Sequence, residues 1–106
     1  MKYEIPREAF KQRLGNRLNF VFIDLLPEDK TPAKFKNIVH IKYSTEFKNE
    51  FTAQFPNKNQ NVVIFSLNAG DENPSQAANE LASLGYNFVY YYQGTPDDIV
   101  LDKGLN

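Results

Sequence analysis

The sequence contains no cysteine and no tryptophan, a single histidine and a single methionine. Without a thiol the chain can form no disulfide, no zinc–thiolate centre and no persulfide on its own side chains. One histidine leaves only scattered carboxylates for a metal, and no calcium-loop spacing surrounds Asp71 or Asp97. Charge of one sign is also lacking: 12 Lys and Arg stand against 13 Asp and Glu, a formal net charge of −1. No strong field draws such a chain onto a phosphate backbone or an anionic lipid surface. Long apolar runs are absent too. The longest, Phe20 to Ile23 and Val62 to Phe65, fall far short of a membrane span, and the opening MKYEIPREAF has no apolar signal core. The expectation is a cytoplasmic protein with no nucleic-acid or membrane partner and no cofactor.

What is present is globular. A length of 106 residues, 42% hydrophobic with nine Phe and six Tyr, suits a single domain over 1–106 with an aromatic-rich core. No repeat or low-complexity linker divides it.

Apolar period and turn punctuation then place the elements. Pro6 to Leu14 carries Pro in the first turn, Phe10 and Leu14 four apart, and Gly15 as a stop, which predicts a short amphipathic helix. Asn19 to Leu26 is almost wholly apolar, the pattern of a strand covered on both faces. Pro27 to Lys36 is turn-rich, with Thr31 and Pro32 able to start one helical turn. Ile38 to Tyr43 alternates, sending Val39, Ile41 and Tyr43 to one side and Ile38, His40 and Lys42 to the other. From Ser44 onward, Phe47, Phe51 and Phe55 mark one stripe of a helix that Pro56 ends. Val62 to Phe65 is a β-branched strand. Asn73, Pro74 and Gln76 have capping-box spacing and predict a helix from Pro74 to about Leu84, closed at Gly85. Phe88 to Tyr92 is a further strand, and Thr95, Pro96 and Asp98 repeat the cap spacing before a last short helix near Ile99 to Leu101. Strands alternating with helices imply an α/β domain, a mostly parallel sheet flanked by short helices.

In such sheets ligands meet the loops at the carboxyl ends of the strands. The candidate binding loop is therefore Ser66, Leu67, Asn68, Ala69, Gly70, Asp71, Glu72 and Asn73, with Asp24 in support at the end of a neighbouring strand. Its amides could converge on an anion near a helix N-terminus, but Asp71 and Glu72 place carboxylates there instead, where they also suit the helix dipole. Serine catalysis at Ser66 would need a base and an orienting acid, and His40 with Asp24 is the one combination the sequence offers. Against it, His40 reads as a partly exposed strand residue, and Asp24 as a bond to loop amides. Tyr90, Tyr91 and Tyr92 read as packing rings on alternate faces rather than a stacking platform. Lys34, Lys36, Lys42 and Lys48 read as solvated surface charge.

The run Val62-Val63-Ile64-Phe65-Ser66, a glycine-containing loop, Ser75-Gln76-Ala77-Ala78, Leu81-Ala82-Ser83-Leu84-Gly85-Tyr86, then Phe88-Val89 and Gly94, resembles the second half of a rhodanese domain. Upstream, Phe20-Val21-Phe22-Ile23-Asp24 is similar to that family's strand ending in Ile-Asp, and Ile38 to Tyr43 to its next strand. The resemblance covers most of the chain and implies a rhodanese-like three-layer sandwich. Active members carry a cysteine directly after the strand matched by Val62 to Phe65 and hold sulfur on it as a persulfide. Ser66 stands at that position. Leu26 occupies the place of an arginine that usually follows the Ile-Asp pair, and no Arg or Lys lies between Ser66 and Glu80. The resemblance with these departures implies a catalytically inactive module that binds a protein partner or a small ligand, as a monomer or weak homodimer. The alternatives are a thiosulfate-type sulfurtransferase, should Ser66 replace a native cysteine, and a Ser66-dependent hydrolase.

Overall fold

The computed structural model describes residues 2–14, 20–25, 38–66 and 72–93. Among these described residues, five strands and three helices follow in the order β1 (Lys2–Glu4), α1 (Arg7–Leu14), β2 (Val21–Asp24), β3 (Val39–His40), α2 (Phe47–Gln54), β4 (Asn61–Ser66), α3 (Asn73–Ser83) and β5 (Phe88–Gln93). The strands form one sheet ordered β1-β5-β4-β2-β3. Every adjacent pair is parallel.

β4 lies at the centre because its side chains are apolar on both faces. Val62 to Ser66 are all buried. The pleat sends Val62 and Ile64 one way, with Ile23, Leu25, Ile41 and Val89, onto Phe47 and Phe51 of α2 and Ala77, Ala78 and Leu81 of α3. It sends Val63 and Phe65 the other way, with Phe22 and Tyr92, onto Phe10 of α1. The domain is thus a three-layer α/β/α sandwich. Phe10 stacks on Tyr92 at 4.5 Å between centroids and meets Phe22 and Phe65 edge-on at 5.8 and 5.2 Å. These offsets suit the ring quadrupoles.

Local chemistry sets the boundaries. Pro6 precedes α1, where its carbonyl accepts from Phe10 N–H at 3.0 Å. α2 stops at Phe55, whose φ of −132° and ψ of 74° are non-helical. The following Pro56 disfavours the helical region for the residue before it. α3 presents Pro74, Ala77, Ala78 and Leu81 to the core, the i, i+3, i+4, i+7 stripe of a buried face. It ends in a Schellman motif, with Tyr86 N–H bonded to Leu81 O at 3.2 Å and Gly85 N–H to Ala82 O at 3.1 Å. Gly85 takes φ +97°, as its place in the sequence predicts.

Three expectations need correction. The cap of α3 is Glu72, not Asn73, because the Glu72 backbone is already near-helical (φ −93°, ψ 0°) and makes no side-chain cap bond. Its carbonyl accepts from Gln76 N–H at 3.3 Å. The strand over Ile38 to Tyr43 shrinks to Val39–His40, since Ile41 N–H reaches Asp24 O at 3.1 Å while Leu25 N–H turns to Phe65 O, which leaves β3 no further ladder. Alternation nevertheless persists, with Ile41 buried in the α2/α3 cluster and Ile38 packed on the α1 side. Finally, β1 has no counterpart among the expected strands. The helical turn near Thr31 and the last helix near Ile99 lie outside the described residues.

Candidate functional site

Asp24, His40, Ser66 and Gln93 all end strands at one edge of the sheet, the carboxyl edge. Crossover topology puts ligands here, because loops leave this edge for the helices. Six residues, 67–72, separate Ser66 at the end of β4 from Asn73 at the start of α3. Leu67, Asn68, Ala69, Gly70 and Asp71 of the candidate loop lie outside the described residues. Glu72 is exposed and Asn73 partly buried at the start of α3.

Register decides which of these side chains meet. Asp24 pairs with Phe65 on one side and His40 on the other, so all three point to the α1 face. Ser66 is the next residue along β4 and points to the opposite face, that of α2 and α3. Asp24 is fully buried and Ser66 is 1% exposed. His40 Nδ1 stands 3.8 Å from Asp24 Oδ2, with 23% of its side chain exposed. That separation is an ion-pair distance, too long for a hydrogen bond. The fold brings Asp24 and His40 together and sets Ser66 across the sheet from them. Among the described residues, no three His, Asp or Glu side chains gather into a group that could hold a metal ion.

Tyr91 faces the α2/α3 cluster while Tyr90 and Tyr92 face α1, so the three rings alternate as their spacing predicts. Lys42 and Lys48 are exposed. Polar groups of another kind escape the sequence reading. Tyr43 is half-buried just beyond β3, and its hydroxyl bonds to Glu80 of α3. Burial first, then that hydrogen bond and the carboxylate charge, push Tyr43 up to about 12. Tyr86 donates its hydroxyl to Phe55 O, and burial pushes it up as well. Lys58 Nζ sits 4.1 Å from the Tyr86 ring centroid. Arg13 of α1 covers Tyr90 at 4.8 Å and Phe20 at 5.6 Å. No spacing rule marks these pairs, since all but Arg13 with Phe20 join elements far apart in sequence.

Comparison of the whole architecture with solved proteins settles the fold. The rhodanese-like domain of the Alr3790 protein from Anabaena sp. superposes with a TM-score of 0.68 at 21% identity, covering 92% of this chain and 73% of that one. The chain has a rhodanese-like fold. The polysulfide-sulfur transferase homodimer from Wolinella succinogenes gives a TM-score of 0.71 at 17% identity, over 93% of this chain and 73% of that one. A thiosulfate sulfurtransferase from Pseudomonas aeruginosa matches at 0.67 and 18% identity over 91% of this chain, which spans only 18% of that much longer protein. No protein-family model and no curated protein matches the sequence. Rhodanese-like architecture thus persists here in a chain with no cysteine. No helix among the described residues is long and apolar enough to cross a membrane.

Proposed function

We propose that this domain is a catalytically inactive rhodanese-like module that binds a protein segment or a small ligand through the loop from Ser66 to Asn73. The observation that carries the reading is the absence of any cysteine from a chain whose fold resembles that of sulfurtransferases. Carrying sulfur as a persulfide requires a thiolate. A thiol ionises near pH 8.5, whereas a serine hydroxyl does not ionise usefully at neutral pH unless a base is placed to take its proton. Asp24 and His40, the candidate acid and base, point to the face away from Ser66. That separation weighs against the hydrolase reading. The loop sequence adds Asp71 and Glu72 and no cation, which disfavours a sulfur oxyanion as ligand.

The second reading, sulfur transfer, is favoured by the structural neighbours and requires a cysteine at position 66 in the natural chain. The native gene reads this out directly. Protein from the natural host, and a Ser66→Cys variant, assayed with thiosulfate and cyanide should form thiocyanate no faster than the blank. Turnover by the native protein would overturn the inactive reading. Turnover by Ser66→Cys alone would show that the pocket survives intact around the lost nucleophile. Binding is tested by affinity capture from the source cells, with Asp71→Arg as the comparison. A specific partner lost on charge reversal supports the loop as the interface. An unchanged partner set removes the loop from that role.

A further inference from the structure

We draw no further inference here: the strongest candidate, the buried Asp24 carboxylate facing His40 Nδ1 at 3.8 Å on the α1 side of the sheet's carboxyl edge, is joined by no third ligating group among the described residues, and nothing in the structure shows what covers it.

Discussion

Removing the Tyr43 hydroxyl should destabilise the domain by an amount that depends on pH in a calculable direction. Tyr43 packs edge-on against Phe47 at 5.6 Å, and its hydroxyl bonds to Glu80. Glu80 Oε2 is already buried without a hydrogen-bond partner among the described residues. A Tyr43→Phe change removes the tyrosine's bond to this carboxylate, which should cost about 1–3 kcal/mol near neutral pH. Tyrosine is neutral when protonated, and the folded state holds this proton more tightly than the unfolded chain does. The stabilisation is therefore complete below the unfolded value of about 10 and is lost as pH climbs through about 12. Two pH units correspond to at most about 2.7 kcal/mol, and the solvent access of a half-buried ring lowers the expected loss to about 1–2 kcal/mol. Urea unfolding of wild type and Tyr43→Phe at about pH 8, about pH 10 and about pH 11.5 isolates the effect, because the other tyrosines and lysines titrate in both proteins. The stability gap should narrow steadily above pH ~10. A gap that stays constant across that range would refute the upward shift of Tyr43 by burial and by Glu80.

Two other perturbations test the framework. Gly85→Ala should cost about 1 kcal/mol from backbone strain alone, since φ is +97° and an added Cβ meets nothing within 4 Å. Gly85→Asn should cost less, and equal urea midpoints for wild type and the alanine variant would contradict the Schellman closure. Tyr86→Phe keeps the edge-on contact with Phe51 at 5.1 Å but removes the donor to Phe55 O. A loss of about 1–2 kcal/mol is expected in thermal or urea unfolding, and a neutral result would show that the carbonyl finds another donor.

Legibility of the fold in the sequence tracked how many neighbours each element needs. β4 announces itself because a strand buried on both faces must be apolar at successive positions, and Val62 to Phe65 are. α2 and α3 announce themselves through phenylalanine and alanine stripes with Pro and Gly at their limits. β1 was invisible for the complementary reason. Lys2–Glu4 is a strand of three residues that, among the described residues, pairs with β5 alone, so no apolar run or alternation is demanded of it. β3 shows the intermediate case, where side-chain alternation was legible but ladder length was not. Ladder length depends on where the neighbouring β2 ends, which the sequence of β3 does not encode. The site divided similarly. Position along the chain placed Asp24 and Ser66 at the carboxyl edge, but which face each side chain takes needed the register between strands, and that separates Ser66 from His40.

That separation bears on what chemistry a serine at the end of β4 can do. The core contacts that hold β4 in place come from Val62 and Ile64 on one face and Val63 and Phe65 on the other. Cysteine and serine differ by one atom, so a fold of this kind does not by itself dictate which of them ends the central strand. Reactivity responds quite differently. A thiol is a few per cent ionised at neutral pH without help, while a hydroxyl must be deprotonated by a neighbour placed within hydrogen-bond reach. The fold's imidazole and buried carboxylate are committed to the other face of the sheet, where Asp24 pairs with His40 across β2 and β3. Hydrolysis at Ser66 would thus need a base on the α2/α3 side, and persulfide chemistry would need a thiol.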